Sequence, residues 1–211
     1  PVILGGDCTI VLGSMLALRR RGAYGLLFID GNADFFQPEA EPRGEGASMD
    51  LAFVTGYGPS LLTDIEGRRP LVQPEDAVAF AFRDHDDQVK YGSQPLPSAL
   101  SAYDLGAVRR LGVENAVREA LGRLTRPALD GFFIHVDADV LDDAIMPAVD
   151  FRIPGGLSWE ELARALAMAL ASDKAVGIEI AIYNPRLDED GAAGRALADM
   201  LANVLAAAGR S

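Results

Sequence analysis

"GLLFIDGNADFF", residues 25–36, decides how the chain is read. Leu26, Leu27, Phe28 and Ile29 form a continuous apolar run, the pattern of a strand covered on both faces. The run ends in Asp30, Asn32 and Asp34, with oxygen-bearing side chains at every second position. A carboxylate beside an apolar strand is desolvated, and two together repel each other. The stretch therefore predicts a buried strand whose carboxyl end serves a ligand that tolerates anionic oxygen.

Short apolar runs alternate with helical patterns on either side of it. Val2–Leu4 is expected as a strand, and "TIVLGSMLALRRRG" as a helix. Thr9 is its expected N-cap, Val11, Leu12, Met15, Leu16 and Leu18 its apolar face, and Gly22 its stop. Residues 36–75 are punctuated by Gly and Pro and read as an irregular connection with a short helix inside it. Further strands are expected at 77–82 ("AVAFAF"), 131–136 ("GFFIHV") and 175–182 ("AVGIEIAI"). Asp104 caps a helical region that runs to Leu124 and breaks near Gly112. "SWEE" at 158–161 has the form of a capping box, and an Ala-rich helix closes the chain. This rhythm implies one α/β domain over residues 1–211, with helices on both faces of a mainly parallel sheet.

The chain has 211 residues, 49% hydrophobic and 24% charged, enough for a substantial core. It contains no apolar run of membrane-spanning length and no basic leader with a signal-like core. Cys8 is the single cysteine, which excludes an internal disulfide framework and fits a reducing, cytoplasmic setting. A net charge of −12 argues against nucleic acid and anionic membrane surfaces as partners. The chain enters an apolar strand directly from Pro1. Termini normally lie loose and exposed, so a portion preceding Pro1 is expected to be missing.

Ligands of such sheets bind beyond the carboxyl ends of the strands, and the reactive side chains collect there. They comprise Asp7 and Cys8, then Asp30, Asn32 and Asp34, then Arg83, Asp84 and His85. "HVDADVLDD" adds His135, Asp137, Asp139, Asp142 and Asp143, and the last strand contains Glu179 and leads to Tyr183 and Asn184. Period two aims Asp137 and Asp139 to one side. A divalent cation offsets the repulsion of such a cluster, and oxygen donors suit Mn²⁺, Mg²⁺ or Ca²⁺. An EF-hand over 30–41 is excluded, because Phe35 takes the glycine position and Pro38 interrupts the loop. Cys8 reads equally as an inert buried thiol or a ligand, and His135 as a structural residue or a partner behind the ligands. His85 reads as a surface or loop residue.

"GGDC", "IDGNADF", "HVDADVLDD", "PGGLSWEE" and "GIEIAIYNP", in this order and spacing, resemble the arginase/agmatinase (ureohydrolase) family. The resemblance spans Val2 to about Leu187. It implies a three-layer α/β/α arginase-like fold in a homo-oligomer, acting on a small-molecule substrate. It also implies a site for one or two divalent ions, Mn²⁺ in the family, whose bound hydroxide attacks a guanidinium carbon. Carried over by position, Cys8, Asp30, Asp34 and Asp137 would hold one ion and Asp30, Asn32, Asp137 and Asp139 the other. Asp137, Glu179 and His135 are the candidate catalytic residues.

Four positions depart from the family pattern. Cys8 and Asn32 stand where the family has histidines, and a thiolate at Cys8 would favour Zn²⁺ or Fe²⁺. Ile182 stands at the family's guanidinium-gripping glutamate, and Ala47 or Ser48 at its proton-transfer histidine. The resemblance thus implies a metal-dependent hydrolase of a guanidino- or amidino-type C–N bond. The alternative is a catalytically silent member that binds metal or ligand.

Overall fold

Among the described residues six strands, β1 (Val2–Leu4), β2 (Tyr24–Ile29), β3 (Ala77–Phe80), β4 (Ser101–Tyr103), β5 (Gly131–Asp137) and β6 (Ala175–Ala181), pair in the order β1-β6-β5-β2-β3-β4. Every pairing is parallel. The computed structural model describes residues 1–209. Helices α1 (Ile10–Arg19), α2 (Asp50–Val54), α3 (Ser60–Thr63), α4 (His85–Tyr91), α5 (Leu105–Leu111), α6 (Val113–Leu124), α7 (Trp159–Leu170) and α8 (Ala192–Ala208) occupy the connections. Among the described residues no helix is long and apolar enough to cross a membrane.

Alternation along the strands divides the interior in two. Leu27 and Ile29, with Phe132, Ile134, Val136, Ile178 and Ile180, pack against α5, α6, α7 and α8. Leu26 and Phe28, with Phe133, Ala77 and Ala79, pack against α1 and α2 on the opposite face. The result is the expected three-layer α/β/α arrangement, in which β2 and β5 are apolar on both sides because both faces are covered.

Local chemistry sets the ends of the elements. Asp104 accepts the Ala107 N–H at 2.6 Å and Gly112, at φ 79°, separates α5 from α6. Ser158 and Glu161 form the reciprocal capping box that starts α7. Thr9, in contrast, does not cap α1. Its own backbone is already helical (φ −60°, ψ −12°), so its hydroxyl cannot reach forward, and its N–H and hydroxyl both donate to Asp7 Oδ1. Helix α1 ends at Arg19, before Gly22. Two expected strands stop early for one reason: Ala81 (φ 70°) and Ile182 (φ 71°) turn into the left-handed region. The edge strand β4 carries no sequence signal beyond its three residues.

Candidate metal centre

From β2 the chain proceeds outward to β3 and β4, and from β5 it proceeds the other way to β6. The gap between β2 and β5 is therefore the switch point of the sheet, where a crevice opens beyond the strand ends. Phe28 pairs with His135 and Ile29 with Val136. One step further along this register, Asp30 and Asp137 stand side by side. The two aspartate segments touch because of Gly31. A Cβ there would come within 2.7 Å of both the Asp139 carbonyl oxygen and its Oδ1. Instead the Gly31 N–H donates to Asp139 Oδ1 at 3.0 Å.

Hydrogen bonds then fix the rim. The Asn32 N–H donates to Asp30 Oδ1 at 2.7 Å, the Asn32 side-chain amide donates to Asp139 Oδ2 at 2.8 Å, and the Asp139 N–H donates to Asp137 Oδ1 at 2.6 Å. Arg83 supports the turn from outside. Its guanidinium donates to the carbonyls of Asp139, Leu141 and Ile153 at 2.8, 3.2 and 2.6 Å. The cation thus holds backbone and leaves the carboxylates to other partners.

Those carboxylates are buried. Asp30, Asp34, Asp50, Asp84, Asp137 and Asp139 all lie inside, and Asp50 is wholly inaccessible. Burial pushes the acids of Asp30, Asp34, Asp50 and Asp137 well above the usual carboxylate range. Mutual repulsion adds to it: Asp34 and Asp137 act on Asp30, and Asp50 and Asp139 act on Asp34. Asp30 Oδ2, both Asp50 oxygens, Asp84 Oδ2 and His135 Nε2 are buried without a hydrogen-bond partner. Orphaned buried acceptors are costly, and a cation held among them would offset that cost. The donor atoms of Asp30, Asp137 and Asp139 lie within 4.8 Å of one another, as do those of Cys8, Asp34 and Asp50 and those of Cys8, Asp30 and His135.

A cleft of about 500 Å³ opens over this cluster. Cys8, Asn32, Asp34, Asp137 and Asp139 reach it, as do Asp84 and Ile182. Asp30, His135 and Glu179 are among the predicted residues but lie beneath its floor. Cys8 is buried, donates to Asp137 Oδ2 at 2.9 Å, and has its thiol pushed up by burial first and by Asp137 next. His85 is exposed, as a surface residue is expected to be, but it opens helix α4 rather than lying in a loop. Asp34 (φ 44°), Ala81 and Ile182 put three strained left-handed residues on this rim. Such strain in non-glycine residues collects at functional sites.

Sequence reasoning missed Asp50. In the sequence it reads as an ordinary acid in the first turn of α2, and nothing marks it as inward-facing.

The Arginase family model matches residues 1–207. The chain is 28% identical to the arginase of Bacillus subtilis (strain 168) over 207 residues, covering 97% of this chain and 68% of that protein. It is 30% identical to the arginase of Bacillus caldovelox over 190 residues, covering 90% of this chain and 62% of that one. The crystal structure of arginase from Bacillus cereus superposes with a TM-score of 0.84 at 26% identity, over 97% of this chain and 70% of that chain. Formimidoylglutamase from Bacillus subtilis shares the fold, with a TM-score of 0.78 at 22% identity, over 100% of this chain and 61% of that chain. The chain thus spans roughly two thirds of the length of these proteins. With the family model matched from end to end and the aspartate pairs at the switch point, the chain belongs to the arginase family.

Proposed function

We propose that the protein is a metal-dependent hydrolase that cleaves a linear C–N bond of a small guanidino- or amidino-type compound. The observation that carries this reading is the buried carboxylates of Asp30, Asp137 and Asp139, whose donor atoms lie within 4.8 Å of one another at an open cleft, with orphaned buried acceptors around them. Asp30, Asp34, Asp137 and Asp139 would hold the ion, with Cys8 and Asn32 beside them. Oxygen donors of this kind suit Mn²⁺. A divalent ion held there would lower the pKa of a bound water toward neutrality.

The chain's own residues do the rest. Glu41, Glu45, Asp87 and Asp150 line the cleft wall and favour a cationic substrate. The wall's two cations, Arg43 and Lys90, are each held over a ring, the Arg43 guanidinium 5.4 Å from the centre of Phe151 and the Lys90 ammonium 4.4 Å from the centre of Tyr91. Ile182 gives the cleft an apolar surface at the end of β6. The buried floor excludes water from beneath, so a nucleophile and a substrate would meet only in the cleft. The arginases among its relatives support the reaction class.

A second reading is a silent family member that binds metal or ligand without turnover. One observation favours it: Gly31 and the Asn32 amide already donate to both oxygens of Asp139, which lessens that residue's need for an ion. The deciding experiment measures metal content, then urea or ammonia release from a panel of guanidino and amidino compounds with added Mn²⁺. Turnover that disappears in Asp137→Ala supports the hydrolase. Turnover that persists in that variant overturns it, and bound metal without turnover on any compound supports the silent reading.

A further inference from the structure

Phe28, His135 and Glu179 form a row across three adjacent strands, one level beneath Asp30 and Asp137. The His135 ring stacks on Phe28 with centroids 4.5 Å apart and planes 10° apart, so its orientation is set. His135 Nδ1 lies 2.8 Å from Glu179 Oε1. Glu179 is itself held by the Ser14 hydroxyl, which donates to Oε2 at 2.5 Å from α1. All three members of the row are wholly buried.

This arrangement dictates a tautomer. A carboxylate accepts and does not donate, so Nδ1 carries the proton toward Glu179 and Nε2 presents a bare lone pair. That lone pair has no hydrogen-bond partner. It lies 4.0 Å from Asp30 Oδ2, which is equally without one. At that distance the two are not hydrogen-bonded to each other, and together they leave a place for a positive centre. The Cys8 sulfur completes the group, with all three donor atoms within 4.8 Å. Imidazole, carboxylate and thiolate bind zinc-like ions at about 2.0–2.3 Å, so one ion spans them once the side chains draw in. A histidine whose far nitrogen donates to a carboxylate is the usual way a protein aims an imidazole at a metal.

We propose that Cys8, Asp30 and His135 form a metal site with mixed sulfur, oxygen and nitrogen donors under the cleft floor, with Glu179 and Ser14 positioning the imidazole. The site takes a borderline ion such as Zn²⁺, Fe²⁺ or Co²⁺ in preference to Mn²⁺, since thiolate and imidazole select that class. His135 supplies from β5 the imidazole that the "GGDC" and "DGNAD" segments lack. The proposal deepens the metallohydrolase reading, because it reassigns the donors and the ion of the same centre.

The full chain, freed of metal and titrated with Co²⁺, tests it. A thiolate-to-cobalt charge-transfer band in the near ultraviolet is expected, and its loss in Cys8→Ser. His135→Phe preserves the aromatic stack and should weaken Co²⁺ binding at least tenfold, and Glu179→Gln should weaken it about 10–100-fold, as loss of an outer partner does. Near-ultraviolet circular dichroism of the metal-free variants checks folding. If His135→Phe does not fold, the nearest-neighbour shell from X-ray absorption of the native Co²⁺ protein decides instead, with sulfur and imidazole expected together. Co²⁺ bound in an all-oxygen shell, with no charge-transfer band and native affinity in Glu179→Gln, overturns this proposal and leaves the hydrolase reading standing. No binding of Co²⁺, Zn²⁺ or Mn²⁺ overturns both.

Discussion

Asp139 and Asp142 follow the same strand three positions apart, yet they meet opposite surroundings. Asp142 accepts the N–H groups of Ala144 and Gly155 at 2.9 and 2.8 Å, and these hold its acid below the usual range. Asp139 receives two N–H groups as well and lies close to Arg83, yet burial still pushes its acid upward. Its neighbours Asp137 and Asp30 are pushed further in the same direction by burial and by one another. One carboxylate is satisfied by its own loop and fastens it. The others are gathered where the protein does not neutralise them, which is reasonable only if something else does. Residue type does not separate a fastener from a ligand, but the source of the opposing charge does.

The largest test of this contrast is Asp137→Ala. Metal affinity and turnover should fall by more than the about 10–100-fold expected for an outer partner, with the fold intact by circular dichroism. Gly31→Ala comes next. Its Cβ would press on the Asp139 backbone and part the two segments, and calorimetric titration should show metal affinity reduced about tenfold or more.

The third test is pH. Asp30, Asp34, Asp50 and Asp137 have raised folded-state values in the metal-free protein. Their contribution to stability is fully present below the ordinary carboxylate range of about 3.9–4.3 and is lost as pH rises through the raised values. In chelator, Tm should therefore fall as pH climbs from that range toward neutrality, and saturating divalent ion should remove most of the slope. A Tm in chelator that stays flat over this window would contradict the picture.

Asp142→Ala should do the reverse of Asp137→Ala, lowering Tm while leaving metal stoichiometry unchanged. A drop in stoichiometry would show that the loop it fastens also shapes the centre. Ser158→Ala, which removes half of the α7 capping box, should cost about 0.5–2 kcal/mol in urea unfolding and leave metal binding untouched.

The rim was legible in the sequence because two signals coincide there. Apolar runs such as Leu26–Ile29 mark strands covered on both faces, and oxygens at period two mark where those strands end. Capping chemistry at Asp104 and Ser158 was legible for the same local reason. Strand β4 was not, since three partly exposed residues on an edge carry no period. Asp50 was not, because the irregular segment before α2 brings it inward and no local pattern records that path. The Ser14–Glu179–His135 chain was beyond reading as well. It requires the spatial order β1-β6-β5, which brings together residues 165 positions apart.

That same strand order bears on how the protein is made. Strand β1 pairs with β6, and Cys8 meets Asp137 across 129 positions. During synthesis, helix α1 and its serine emerge long before the strand that anchors them in the sheet. Such distant contacts form slowly and late, so the aspartate pair of β2 and β5 can assemble while the β1 edge is still unpaired. A nascent chain can therefore pair Asp30 with Asp137 and stack His135 on Phe28 first, and Glu179 and Cys8 join only when β6 and β1 close the sheet. The bracing of His135 by Glu179 is thus a late event in folding, and an ion entering before it would meet an imidazole not yet held in place.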